Sequence, residues 1–470
     1  MNRIKTDICV IGAGSGGLSV AAGAVQMGAD VVLLEGHKMG GDCLNYGCVP
    51  SKALLAAGHK AHAMGQGAFG MTGGAVAADY AAAKDHVAAT IAAIEPHDSQ
   101  ERFESLGVKV IREFGRFTGH DTVQAGDTEI TARRFVIATG SRPFVPPIPG
   151  LSDVPYLTNE TIFDLRERPE HLIVIGGGPI GMEMAQAHRR LGCEVTVLEG
   201  AKALGKDDPE IAAIALENLR AEGIRIIEGA MVSSVSGGDE GIAVTAEDGT
   251  VHNGSHLLVA VGRTVNIDQL DLHKAGVERN RGGVKVDASL RSPTNRKIYA
   301  IGDAAGGLQF THVAGYHAGV IIRQMLMGLP SKARTDHIPW ATYTDPEIAQ
   351  VGLTQAEARE AHGDKLTVVR FLYSGNDRAI ATGQTTGLIK VMVVKGRPVG
   401  ASIVGAQAGE LIQTWALAIA NKLKMGAIAA MVAPYPTLGE INKRAAGAYF
   451  SPKLFDSPWV KRIVRLVQRF

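Results

Sequence analysis

Residues 8–17 read Ile8-Cys9-Val10-Ile11-Gly12-Ala13-Gly14-Ser15-Gly16-Gly17, and residues 172–181 read Leu172-Ile173-Val174-Ile175-Gly176-Gly177-Gly178-Pro179-Ile180-Gly181. Each stretch is a short apolar run suited to a buried strand, followed by Gly-x-Gly-x-x-Gly and the start of a helix. Downstream, residues 31–34 form a second apolar run ending in Glu35, and residues 195–198 form its counterpart ending in Glu199. The landmarks 12, 14, 17 and 35 thus recur as 176, 178, 181 and 199. One glycine triplet arises easily by chance. Two strand–turn–helix–strand–acid units with the same internal spacing do not.

The chemistry of each unit follows from its residue types. Gly12 and Gly176 permit the tight turn, Gly14 and Gly178 let backbone approach a pyrophosphate, and Gly17 and Gly181 let helix pack on strand. The helix N-terminus then faces the phosphates. Glu35 and Glu199 can accept hydrogen bonds from a ribose diol. Two units imply two dinucleotides. If the second unit takes a nicotinamide nucleotide, Glu199 can bind a 2′-hydroxyl and would repel a 2′-phosphate, which predicts NADH over NADPH. Lys202 and Lys206 nearby soften that preference.

The run Gly40-Gly41-Asp42-Cys43-Leu44-Asn45-Tyr46-Gly47-Cys48-Val49-Pro50-Ser51-Lys52 follows the first unit. Cysteine is scarce, four in 470 residues, so a close pair is informative. A zinc site needs a second ligand cluster. Cys9 and Cys193 supply none and read as packed apolar residues. Residues 51–60 predict a helix, which puts Cys48 at its N-terminus, where the dipole and free amides favour a thiolate. Lys52 lies one turn on, on the same face. A reactive dithiol beside a cation points to electron transfer through sulfur.

Two further runs complete the pattern. Residues 135–138 read as a strand leading into Thr139-Gly140-Ser141-Arg142-Pro143, and Lys297-Ile298-Tyr299-Ala300-Ile301-Gly302-Asp303 as a strand ending in an acid. With these motifs the chain resembles the pyridine nucleotide–disulfide oxidoreductases, the family of glutathione reductase, dihydrolipoamide dehydrogenase and mercuric reductase, over about residues 4–450. The resemblance implies an α/β fold of two Rossmann-like dinucleotide-binding domains, for FAD and NAD, plus a C-terminal α+β dimerisation domain. The expected division is 1–150 for the first part of the FAD domain, 151–270 for the NAD(P) domain, 271–340 for the FAD return segment and 341–470 for the dimerisation domain. The resemblance assigns FAD to Gly12, Gly14, Gly17, Glu35, Thr139, Gly140, Asp303 and His312, and the nicotinamide to Gly176, Gly178, Gly181 and Glu199. It makes Lys52 the lysine beside the flavin, Glu183 its ion-pair partner, Cys48 the thiol touching the flavin and Cys43 the thiol meeting the acceptor. It also implies a homodimer in which each subunit completes its partner's active site.

The chain departs from the family at Pro434-Tyr435-Pro436-Thr437-Leu438-Gly439-Glu440. Disulfide reductases carry an acid–base histidine where Tyr435 stands, while Glu440 remains. An imidazole near pKa 6.5 takes a proton at neutral pH, whereas a phenol near 10 mostly donates a hydrogen bond. Mercuric reductases resemble the chain here, but they also carry a C-terminal cysteine pair, and no cysteine follows Cys193. Three readings of function stand. The first is electron transfer from NAD(P)H through FAD and Cys43–Cys48 to a disulfide, a protein disulfide or a soft metal ion. The second is a diaphorase reducing quinones or dyes directly from FAD, and the third is a recruiting role. The two complete nucleotide units oppose the third.

Composition fits a soluble enzyme. Lys and Arg number 48 against 47 Asp and Glu, which points to no nucleic-acid partner. Glycine, 58 of 470 residues, suits several nucleotide loops. No signal peptide and no long apolar span are evident, so a reduced, cytoplasmic setting is expected. No resident metal site is expected. Residues 366–371 and 387–394 predict strands and 410–423 a helix. Residues 452–470 read as one amphipathic helix, with Trp459, Val460, Ile463, Val464, Val467 and Phe470 on one stripe and Lys461, Arg462, Arg465 and Arg469 on the other. Such a helix either caps the dimerisation domain with its apolar face buried or makes weak contact with a membrane surface.

Overall fold

The structure, a computed structural model, describes residues 2–238 and 241–469. The chain forms two compact units. The first is drawn from residues up to Gly176, from Ala187–Leu198 and from Ala230–Arg334, and the second from Gly177–Gln186, Glu199–Gly229 and residues from Thr335 onward.

The first unit holds a seven-stranded sheet. Its parallel part runs Lys109–Ile111, Val31–Leu34, Asn2–Ile11, Thr128–Ile137 and Ile298–Ala300. The register pairs Ile8 with Val31 and Cys9 with Phe135. Residues 8–11 are buried on both faces, which is why they read as one continuous apolar run. Ile8 and Val10 enter one core cluster, while Cys9 and Ile11 enter the other. Cys9 is therefore a packing residue, as expected. The first strand is longer than its apolar core, because residues 2–6 pair with residues 128–132 along a half-exposed edge. Residues 135–137 pair with Ile298–Ala300, which brings the Thr139 and Asp303 runs to the same end of the sheet. A second parallel ladder in this unit joins His256–Val259 to His171–Ile175, and Leu172–Ile175 to residues 195–198.

The second unit is built on a five-stranded antiparallel sheet, in the order Pro339–Thr342, Glu347–Gly352, Arg397–Gly405, Leu388–Val394 and Leu366–Leu372. Helices Gln413–Ala420 and Glu440–Ala448 pack over it through Trp415, Ile419, Ile441 and Ala445. The buried Trp415 indole donates to Asn442 Oδ1 at 2.7 Å, so the large side chain enters the core with its N–H satisfied. The fold is α/β with parallel sheets at both glycine units and an antiparallel sheet with helices after residue 338, as expected.

Three boundaries differ from the sequence reading. The dithiol helix starts at Cys48 rather than at residue 51 and runs to Gly65, because Val49 and Pro50 are accepted in its first turn. The helix expected over 410–423 is two pieces, Ala408–Leu411 and Gln413–Ala420, with the turn tightened at Ile412, whose carbonyl accepts from both Trp415 and Ala416. The tail is also two helices, Ser451–Phe455 and Pro458–Val467. Pro458 cannot continue the preceding helix and disfavours helical backbone at Ser457, which instead caps the next one. Phe470, placed on the apolar stripe from sequence, lies outside the described residues. Among the described residues no helix is long and apolar enough to cross a membrane.

Candidate active site

The first glycine turn shows why its residues are fixed. Gly12 has φ +104°, and a Cβ there would stand 2.5 Å from the Ala138 carbonyl oxygen. A Cβ on Gly17 would stand 1.8 Å from the Gly12 carbonyl oxygen, so the helix can approach the turn only without one. Gly14, by contrast, would meet nothing nearer than Gly41 Cα at 3.9 Å. It caps helix Ser15–Gln26 with no side-chain cap and no acid in the first turn, which leaves the amides at the positive end of the dipole for an anion. The second turn repeats this: Gly176 has φ +110° with the Ala260 carbonyl oxygen 2.4 Å from its would-be Cβ, and Gly178 would meet nothing within 4 Å.

The repeat extends to hydrogen bonds that sequence reading did not foresee. Glu35 accepts the Ala13 N–H on Oε2 at 2.8 Å and the His37 N–H on Oε1 at 2.7 Å. Glu199 accepts the Gly177 N–H on Oε2 at 2.7 Å and the Ala201 N–H on Oε1 at 2.8 Å. Each carboxylate thus anchors its own glycine loop. It has about four acceptor positions, which leaves capacity for a diol.

The dithiol loop rests on the first turn. The Gly40 N–H donates to the Ala13 carbonyl at 2.9 Å, and Gly40 bridges Gly14. Cys43 sits on the short helix Gly41–Asn45, and Cys48 is the first residue of the next helix. Both thiols are free. Asp42, beside Cys43, is held by Arg263 at 3.0 Å and by the Asn159 amide at 3.1 Å, and Asn159 also donates to the Tyr46 carbonyl. These contacts fix both ends of the segment between the cysteines.

The hydrogen bond between the two thiols moves their pKa values in opposite directions. The Cys43 hydrogen bond pulls the Cys48 thiol down to about 6, helped by Thr311, whose Oγ1 lies 3.4 Å from Cys48 Sγ, and by the charge of Lys52; desolvation opposes the shift. Cys43 moves the opposite way, pushed far above the usual thiol range by that same hydrogen bond and by burial. We therefore describe the pair as a Cys48 thiolate held by a Cys43 thiol. A cleft of about 380 Å³ leads from Ser15 and Gly40 to Cys43 and Thr311.

At the same end of the sheet, Thr139 Oγ1 is buried with no partner among the described residues. The Asn266 amide fixes the Thr139 carbonyl at 3.1 Å, and Gly140 turns with φ +64°. Asp303 is raised by burial and accepts the Ser141 hydroxyl at 2.5 Å; Arg263 donates to that hydroxyl at 2.7 Å. An orphaned hydroxyl, an uncapped helix and a buried acid converging on one turn fit a dinucleotide with a polar linker. His312 stacks on Phe310 at 5.3 Å. His317 accepts the Gly302 N–H on Nδ1 and is held neutral by burial, a structural role.

In the second unit, buried Glu183 accepts the Tyr343 N–H at 2.9 Å. Tyr435 is 70% exposed, and its hydroxyl donates to Asp377 Oδ2 at 3.0 Å. That hydrogen bond to a carboxylate raises the phenol further. Glu440 opens helix Glu440–Ala448. Sequence reading missed Thr311, Arg263 and Asp377, because none stands in a motif. Among the described residues no three His, Cys, Asp or Glu side chains gather to hold a metal ion.

Residues 6–318 match the family described as pyridine nucleotide-disulphide oxidoreductase, and residues 338–446 match its dimerisation domain, which supports a homodimer. A mercuric reductase of Lysinibacillus sphaericus is 34% identical over 453 residues, covering 95% of this chain and 83% of that protein. A dihydrolipoyl dehydrogenase of Geobacillus stearothermophilus is 33% identical over 455 residues, covering 94% and 96%. The HOCl-induced flavoprotein disulfide reductase RclA from Escherichia coli superposes with a TM-score of 0.84 at 28% identity, over 94% of this chain and 99% of that one. With its paired glycine turns and hydrogen-bonded dithiol, the chain belongs to the pyridine nucleotide-disulphide oxidoreductases, FAD-dependent enzymes that use NAD(P)H and a redox-active disulfide.

Proposed function

We propose that this enzyme passes electrons from NADH through FAD to the Cys43–Cys48 pair and on to a soft metal ion or a reactive disulfide. The observation that carries this reading is the free cysteine pair beside the first glycine turn, with Cys48 opening its helix and Thr311 Oγ1 3.4 Å from Cys48 Sγ. The first glycine turn, Glu35, Thr139, Gly140, Asp303 and His312 would hold FAD, which when bound would supply the relay from a two-electron hydride donor to sulfur. Reduction of the Cys43–Cys48 disulfide takes two electrons and one proton at neutral pH, giving a Cys43 thiol and a Cys48 thiolate. Lys52 and Thr311 hold that negative charge. Glu183 braces the second unit's backbone at Tyr343.

Oxidation returns the same balance. For a disulfide acceptor, Cys43 must lose its proton, attack one sulfur and release a thiolate; Cys48 then attacks Cys43 and releases the second. Tyr435 cannot take the Cys43 proton, because Asp377 raises the phenol. A soft cation needs thiolate ligands rather than a base, since it displaces the proton itself. The 27% identical RclA forms a Cu(II) complex, so binding of a transition-metal ion has a precedent in a relative. For the donor, Glu199 favours a 2′-hydroxyl over a 2′-phosphate. A second reading, a quinone or dye diaphorase with the dithiol off the main path, draws on the missing base at Tyr435.

The test is an acceptor panel with NADH and NADPH on wild type and Cys43→Ser. Turnover of metal ions and activated disulfides should vanish in Cys43→Ser while dye reduction persists. Quinone turnover that dominates in wild type and ignores Cys43→Ser would favour the second reading. Fast wild-type turnover of lipoamide or glutathione disulfide at pH 7 would refute the argument from the missing base.

A further inference from the structure

The tail helix Pro458–Val467 buries none of its residues. Trp459 is 72% exposed, Ile463 58%, Leu466 57% and Val467 60%, so the reading in which this face is buried under its own domain does not hold within the chain. At 3.6 residues per turn, the apolar side chains from Trp459 to Val467 cover an arc of about 160°. Lys461, Arg462, Arg465, Gln468 and Arg469 fill the rest, and residues 457–470 contain no acid. Pro458 and the Ser457 cap, which accepts the Val460 N–H, set the start of this helix independently of the one before it. The Arg462 guanidinium lies 5.6 Å from the Trp459 ring centroid, at the border of the two faces. The helix meets the rest of the chain chiefly through Ser451–Phe455, where Leu454 and Phe455 are also exposed.

We propose that this helix docks the enzyme on an anionic lipid bilayer. It lies flat, with Trp459, Ile463, Leu466 and Val467 in the acyl boundary and Lys461, Arg462, Arg465 and Arg469 among the lipid phosphates. Charge decides against a second copy of the same face, because two acid-free helices would bring cations together along both rims. A bilayer offers the complementary charge and needs no shaped groove, and an aromatic and aliphatic arc rimmed by Arg and Lys is what it accepts. With no spanning helix among the described residues, the attachment is peripheral and reversible. One helix of this length binds weakly, and a homodimer presents two, which raises avidity where both can reach one surface.

The experiment uses the full-length, FAD-loaded enzyme with vesicles of phosphatidylcholine alone or mixed with phosphatidylglycerol, at low and high salt. Wild type should co-sediment with the anionic vesicles only, and high salt should release it. Its tryptophan emission should shift to the blue on binding, and Trp459→Phe should remove the shift. Ile463→Asp with Val467→Asp should abolish sedimentation, and Arg462→Glu with Arg465→Glu should weaken it roughly tenfold or more. Both variants should stay dimeric and keep dye reduction. Wild type left in the supernatant with anionic vesicles would overturn the proposal, as would sedimentation indifferent to lipid charge and to these substitutions. Dissociation of the Ile463→Asp, Val467→Asp variant to monomers would assign the face to a second copy instead.

Discussion

If Cys43 holds Cys48 as a thiolate, replacing Cys43 should raise the Cys48 pKa, and the size of the rise can be worked out. Cys48 sits at about 6, with the Cys43 hydrogen bond as the largest cause. A hydrogen bond to a charged group contributes roughly 1.5–3 kcal/mol, and one pH unit is about 1.4 kcal/mol, so Cys43→Ala should move the midpoint up by about one to two units. Alkylation of the reduced holoenzyme by iodoacetamide reads this directly. Cys193 is buried and pushed up to about 11, and burial raises Cys9 further still, so neither contributes near neutrality.

The choice of readout matters. At pH 7 a thiol near 6 is about nine-tenths ionised, against a few per cent for an ordinary one near 8.5, a gain of roughly 30-fold. Intrinsic nucleophilicity falls with pKa at a slope of about 0.4–0.5, which removes roughly 10-fold or more of that gain. A rate at one pH would therefore look almost ordinary, and only the midpoint of the pH profile separates the two cases. Wild type should turn near pH 6, Cys43→Ala near 7–8, and Thr311→Val should fall between them. A wild-type midpoint above 8, or one unmoved by Cys43→Ala, would refute the thiol hydrogen-bond account.

Three further outcomes are expected. Lys390 is buried and bonded to Asp208 at 2.7 and 2.9 Å, so Lys390→Met should strand a buried carboxylate and cost about 3–5 kcal/mol, read as a lower urea midpoint. An additional Asp208→Asn should recover part of that loss. Glu199→Ala should lower kcat/KM for NADH and narrow the gap to NADPH, and a wild-type preference for NADPH would contradict the assignment. Tyr435→His should raise lipoamide turnover by roughly tenfold or more while leaving dye reduction unchanged, since a positioned imidazole supplies the missing proton transfer.

What the sequence made legible was chain-local. Both glycine turns, their acids and the dithiol at a helix start have fixed spacings, and the structure adds that Glu35 and Glu199 grip their loops identically. What it hid was through-space: Thr311 reaches Cys48 from 263 positions away, and Asp377 reaches Tyr435 from 58. No periodicity encodes such pairs. The tail shows a different failure. Pro458 was a readable breaker, but the apolar period across residues 459–467 was strong enough to be extended through it. Whether that apolar face is covered depends on packing, which a hydrophobic pattern alone cannot report.

Under the proposed function, the partners of each titrating group bear on its part in the reaction. Near neutral pH Cys43 keeps its proton because it serves the Cys48 thiolate. Tyr435 keeps its proton because the hydrogen bond it donates to the Asp377 carboxylate favours the neutral phenol. The group with a depressed pKa, Cys48, is the one that Lys52 and Thr311 hold as an anion. Any acceptor that must first be attacked by a Cys43 thiolate therefore meets a barrier set by this proton distribution. An acceptor that itself displaces the Cys43 proton, as a soft cation does, avoids that barrier. A disulfide with a low-pKa leaving thiol still needs the Cys43 thiolate, but its thiol leaves faster once attacked. Under the proposed function, the proton distribution at the two thiols is what would favour a soft cation as the acceptor.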